Sequence, residues 1–384
     1  MRSPRLRSIF LHLLAAILIT IISGCGGMSS NSPSNPASPP GSGNSGGGNG
    51  GGGGNPQSST FVYVGSNRFG NPESTYVFRF NSDGSTTLVA GSPFTDPQEI
   101  YAQSGKFLIG HGSNDGRLSS FPVDTNTGAP QAVKSITQSV SRVAVADASN
   151  VYAGDFGLRT SSGGIDAFSV TDGNLTPIAG SPFGLSPGNR LEAIFLTRSL
   201  LFAGRVSDSD GDLTVFSRAS TGALTRFASL GHASSFYLAV VHPSARFIYK
   251  LDLGDAGDTI NVFSFDPPTG ASAVVQQLSF PNDVRVIVSD VLGRYLFVPE
   301  QGIRVFSIDQ NSGKLTEVAG SPFFSSDATI RGVVPDPTGR FLLVIHGNTF
   351  QTVAIDAATG KLTTAADPVA IGGQEIGRTL FAVF

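Results

Sequence analysis

Six residues recur at one point of a repeated pattern: Glu99, Arg142, Glu192, Tyr237, Arg285 and Arg331. Each precedes a short apolar run, by eight residues for the first three and by ten for the last three. Arginines and glutamates gathered at one level offer a small anionic or polyol ligand both rigid donor forks and acceptors. The same side chains could instead pair with one another and fill a solvated channel. Opening an ester ring also needs a group that moves a proton near a bound water. Beyond the first 24 residues, histidine occurs only at 111, 232, 242 and 346. His232, in Leu230-Gly-His-Ala-Ser-Ser235, leads into a repeated strand and is the leading candidate base, with Glu300 the other. His111 and His346 each follow an apolar run and precede Gly, which puts them in loops on the same face. His242 belongs to a His-Pro corner and reads as structural.

Other strings carry less. Asp208-Ser-Asp210-Gly-Asp212 has carboxylates for a hard cation but lacks the spacing and terminal Glu of a hand-type calcium loop. It reads as an acidic surface turn, as do Asp252, Asp255 and Asp258 one repeat later. Gly184-Leu-Ser186-Pro-Gly188 imitates a nucleophile elbow, which requires a strand-to-helix turn that Pro187 opposes. A single cysteine, Cys25, excludes an internal disulfide and a multi-cysteine metal site. No metal or cofactor is expected.

The elements that must position these groups are strands. An apolar strand recurs at Phe61, Phe107, Asn150, Leu200, Phe247, Tyr295 and Phe341, at spacings of 46, 43, 50, 47, 48 and 46. A second strand with apolar and polar residues alternating follows each, as in Ile260-Asn-Val-Phe263 and Ile303-Arg-Val-Phe306. Next comes a turn of the type Asp309-Gln-Asn-Ser-Gly313 or Asp356-Ala-Ala-Thr-Gly360, whose Gly suits a hairpin. Three units share an exit, Gly91-Ser-Pro-Phe94, Gly180-Ser-Pro-Phe183 and Gly320-Ser-Pro-Phe323. Full units open with a further apolar strand such as Ile330–Val334 or Val284–Val288.

Seven four-stranded units predict an all-β, seven-bladed propeller over residues 61–384. The first unit lacks an opening strand, and the chain ends in an unassigned one, Thr379–Phe384. Joining the two closes the ring and removes the open sheet edges. Composition agrees: Gly 48 and Pro 23 in 384 residues, with only 14 % charged and 28 Phe, suits turns and strands and disfavours helical bundles.

The absence of Trp excludes the Trp-Asp repeat family. Val241-His-Pro-Ser-Ala-Arg-Phe-Ile-Tyr249, Pro335-Asp-Pro-Thr-Gly-Arg-Phe-Leu-Leu343, the Asp-x-x-Thr-Gly turns and Gly373-Gln374-Glu375 resemble the seven-bladed lactonase family typified by the propeller-type bacterial 6-phosphogluconolactonase. The resemblance implies a ligand cleft near the channel mouth, lined by Arg, His and Glu from inner strands. Ile330-Arg331-Gly332 and Asp283-Val-Arg285 resemble two of its openings. The fifth unit departs, with Ser235-Phe-Tyr-Leu238 where the family tends to show Gly-Pro-Arg-His. Two activities therefore stand: hydrolysis of a lactone, and binding of a sugar-like ligand or an envelope protein partner without turnover.

Residues 1–24 carry Arg2, Arg5 and Arg7, then an apolar run from Ile9 to Ile22, shorter than the ~20 residues of a spanning helix. Ile22-Ser-Gly-Cys25 resembles a lipobox, which implies a lipid anchor at Cys25. Gly26 then suggests the outer membrane of a Gram-negative envelope. Residues 25–60 are mostly Gly, Ser, Asn and Pro with almost nothing to bury, and read as a disordered tether. Without the leader 22 bases face 28 acids, a charge of −6 with no basic cluster, which excludes a nucleic-acid partner.

Overall fold

The computed structural model describes residues 59–384 apart from 68–73, 113–116, 141–142, 155–163, 185–189, 207–210, 234–235, 255–256, 285, 326–329 and 373–374. Seven antiparallel sheets, each built on four strands, follow one another as the blades of a propeller. The inner strands, in blade order, are Glu375–Val383, Glu99–Ser104, Val143–Ala146, Arg190–Leu196, Phe236–Val241, Val288–Ser289 and Ile330–Pro335. The second strands are the apolar runs of the repeat, beginning with Thr60–Asn67 and ending with Phe341–His346. They are buried on both faces. Leu201, Phe202 and Ala203, for example, are all at 0 % exposure, as a strand sandwiched between two neighbouring blades must be.

Ring closure follows the sequence expectation. Thr60–Asn67 lies between Ser74–Phe80 and the last strand, with Phe61 opposite Ala382 and Asn67 opposite Glu375. Inner strands begin, and second strands end, at one end of the ring, called here the mouth end. The turns of the Asp-x-x-x-Gly type lie at the other, the hairpin end.

At the hairpin end the blades are keyed together by one repeated contact. In every blade but the fifth, a hairpin glycine accepts the side chain that opens the repeated run of the second strand in the blade before it; Gly270 of blade 5 meets Ala228 and Phe227 of the outer strand instead. A β-carbon on Gly128 would lie 2.3 Å from the Phe61 ring, and one on Gly313 2.3 Å from Phe247. Tyr63 and Tyr249 add hydrogen bonds from their hydroxyls to the carbonyls of these same glycines, at 2.7 and 3.2 Å. Only glycine combines the positive φ, +78° and +71°, with that clearance.

The Gly-Ser-Pro-Phe exits end the outer strands early. In blades 1, 3 and 6 the outer strand is only Thr86–Leu88, Asn174–Pro177 or Leu315–Glu317. The serine hydroxyl then stands in for a strand carbonyl. Ser92, Ser181 and Ser321 accept the N–H groups of Val77, Ala167 and Val305 at 2.8, 2.9 and 3.1 Å. Phe94, Phe183 and Phe323 afterwards rejoin the third strand.

One strand departs from expectation. The predicted opening strand Val284–Val288 is reduced to Val288–Ser289. The Val284 amide donates instead to the buried carboxylate of Asp258 in blade 5, at 2.6 Å.

Candidate functional site

Four of the recurring residues, Glu99, Glu192, Tyr237 and Arg331, fall at the mouth end through register. Glu99 pairs with His111, and Ile330 with His346, so both histidines sit on the closing residues of second strands rather than in loops. In blades 4, 5 and 7 the ladder slips by one residue at that level. The extra residues are Glu192, Tyr237 and Arg331, each a β-bulge on an inner strand. A bulge breaks the in-and-out alternation and re-aims a side chain. In blade 2 the slip falls between Ile100 and Ala102, so Tyr101 is the bulged residue. The difference between eight- and ten-residue spacings has a plain cause. Blades 5 to 7 turn from inner to second strand through longer corners, braced by His242, Asp290 and Asp336.

Three of the described mouth side chains form one cluster. Glu99 Oε2 accepts from the Tyr101 hydroxyl at 3.1 Å and lies 3.1 Å from His111 Nε2. His111 Nδ1 lies 3.2 Å from the carbonyl oxygen of Gly112. Both neighbours of the ring are acceptors, so a proton on each nitrogen makes both contacts hydrogen bonds. The His111 and Glu99 side chains keep 14 % and 24 % of their surface exposed, within reach of a ligand. Arg331 is half-buried.

Glu300 also ends a second strand at the mouth end, but its carboxylate already has work in the scaffold. It accepts from the Asn282 backbone and side-chain amides at 3.2 and 2.9 Å, and Arg304 lies 3.7 Å away. Arg304 in turn grips Glu317 through two hydrogen bonds and covers the Phe280 ring at 4.8 Å. The paired glutamates hold the Arg304 guanidinium above its usual range, Glu317 foremost. His232 falls on the outer strand Leu224–Ala233, in a bulge opposite Asp212. The His232, Glu192 and Tyr237 side chains, and all of Arg142, Arg285 and Cys25, lie outside the described residues.

Two aspartates expected in solvated turns are buried. Asp212, at 6 % exposure, takes the Ser229 hydroxyl at 2.7 Å. Asp258, at 4 %, takes the amides of Val284 and Gly254 at 2.6 and 3.3 Å. Each begins or nearly begins a third strand, where unpaired N–H or O–H groups need an acceptor. Burial pushes the Asp258 carboxyl above its usual range, with Asp283 and Glu300 adding to the shift.

Sequence reasoning missed Lys250. It is 1 % exposed and lies 2.8 Å from Asp252, which also accepts from Asn261 at 2.7 Å. The signal was present. Lys250 occupies the fourth position of Phe-Ile-Tyr-Lys, where the other blades carry Val64, Gly110, Ala153, Ala203, Val298 and Val344.

Away from these polar groups the inner strands are apolar. Phe195, Leu238, Val240, Val286 and Val288 pack closely in blades 4 to 6, around a crevice of only about 10 Å³. An open groove of about 700 Å³ beside Arg246, Asp266 and Pro267 lies at the hairpin end, far from the mouth cluster.

No protein-family model matches the chain, and no curated protein matches it in sequence. Solved structures do match. A candidate 6-phosphogluconolactonase from Bacteroides fragilis superposes with a TM-score of 0.63 at 19 % identity, over 84 % of this chain and 98 % of that one. Another from Bacteroides uniformis gives 0.67 at 18 %, over 85 % and 99 %. A periplasmic gluconolactonase from Pseudomonas aeruginosa gives 0.64 at 18 %, over 84 % and 99 %. At these identities the shared property is architecture: the chain has the seven-bladed propeller fold of these lactonase-type proteins.

Proposed function

We propose that this is an exported, lipid-anchored propeller that binds a small sugar lactone at its mouth and opens the ring. The observation that carries the reading is the Glu99–His111 contact at 3.1 Å, a carboxylate–imidazole couple at the end of the ring where Arg331 forms a bulge. Hydrolysis adds water to the lactone carbonyl and breaks the ring C–O bond. One proton leaves the water and one is taken up by the ring oxygen, and the couple is suited to exchange both. Arg331, with Arg142 and Arg285 as further candidates, supplies cations for the carboxylate that forms. The lipobox at Cys25 supports export, and a neighbour described as a periplasmic gluconolactonase supports sugar-lactone chemistry outside the cytosol. In a Gram-negative host, Gly26 points to the outer membrane.

The test is hydrolysis by the purified chain across a panel of sugar and acyl lactones. Turnover above the spontaneous rate, lost in His111→Asn and Arg331→Ala, supports the reading. His232→Ala and Glu300→Gln report whether those candidates take part. A second reading, ligand or envelope-protein binding without turnover, is favoured by one observation: Glu99 and Glu300 both already hold protein partners. Heat of binding without turnover on the same panel would select it.

A further inference from the structure

We infer that the mouth opens away from the membrane that holds the protein, so its ligand arrives from the aqueous phase. This orientation rests on the Cys25 anchor proposed above. Thr60–Asn67 runs from the hairpin end to the mouth end, since Thr60 pairs with Val383 and Asn67 with Glu375, the first residue of an inner strand. The strand therefore separates its two ends by roughly 25 Å. The chain enters at the hairpin end and is fastened there. Ser59 N–H donates to Phe384 at 2.9 Å, and Phe384 N–H donates back to Ser59 at 3.0 Å. Whatever precedes Ser59 leaves from the face opposite Glu99, His111 and Arg331.

Attachment turns the hairpin end toward the bilayer. A ligand confined to the bilayer would not meet the mouth, whereas a water-soluble one would.

The experiment uses the full acylated chain on phosphatidylethanolamine–phosphatidylglycerol vesicles. Single cysteines at Asn126→Cys (hairpin end) and Asn348→Cys (mouth end), both exposed positions, carry a donor dye. Acceptor dye sits on the lipid headgroups. Transfer should be stronger from position 126, and the difference should widen when residues 30–55 are deleted. Equal transfer, or stronger transfer from position 348, in a protein that floats with the vesicles overturns the orientation alone. A chain that fails to float overturns the anchor and the orientation together.

Discussion

The Phe341 ring of blade 7 stands where a β-carbon on Gly84 of blade 1 would be, with Cε1 2.7 Å from that point. Arg340 reinforces the junction by donating to the Ser82 carbonyl at 3.0 Å. These contacts join blades at opposite ends of the chain, so they belong to the seam of the ring. Gly84→Ala should lower stability by about 1–3 kcal/mol, combining a positive φ with overpacking. Gly105→Ala is the control: its φ is also positive, but nothing lies within 4 Å of the added carbon. Denaturant midpoints should fall further for Gly84→Ala.

Lys250 and Asp252 form an ion pair inside the wall between blades. Removing one partner of such a pair strands the other charge, at a cost of about 3–5 kcal/mol. Lys250→Met should approach that loss. Lys250→Met with Asp252→Asn should recover much of it, and a double-mutant cycle by denaturant unfolding reads the coupling.

His242 should make stability fall in mild acid. Its Nδ1 accepts the Ser244 amide at 3.1 Å, and its Nε2 donates to Gly293 at 3.0 Å, which fixes the neutral ring. Burial lowers its pKa from 6.5. The unfolded chain therefore takes up the proton first. The contribution is complete above about pH 6.5 and shrinks as pH drops from there to the depressed folded value. His242→Asn should flatten that part of the stability profile, and a profile unchanged by the substitution would refute the assignment.

Ser321→Ala should cost about 1 kcal/mol, because the Val305 amide loses its acceptor while the surrounding strand stays buried. Hydrogen exchange at Val305 should accelerate selectively.

Much of the ring was readable from the repeat itself. Strand periodicity identifies Ile260-Asn-Val-Phe263 as readily as it does the clasp at Thr379–Phe384, because burial of alternate residues is written along a single strand. The mouth was less readable. Glu192, Tyr237 and Arg331 stand at slips between two strands, and neither strand alone records its register against the other. Blade 2 shows the limit: equal spacing put Glu99 in line with the others, whereas the bulge falls on Tyr101. Asp258 was read as a loop residue because acidic, glycine-rich strings usually face water. Its true role, taking the Val284 amide from the next blade, depends on a contact 26 residues away. The Gly-Ser-Pro-Phe exits were visible as a repeat, but their purpose required seeing Ser92, Ser181 and Ser321 accept hydrogen bonds.

The fastening of the first strand also has a mechanical consequence. Thr60–Asn67 is not at an edge; it is held on one flank by Ser74–Phe80 and on the other by Glu375–Val383, with seven paired positions on each. A pull on the segment before Ser59 acts along the strand and leaves it at the hairpin end. Such a load shears both ladders at once instead of peeling one rung after another. The ring should therefore withstand tension on its leash better than tension applied across the seam.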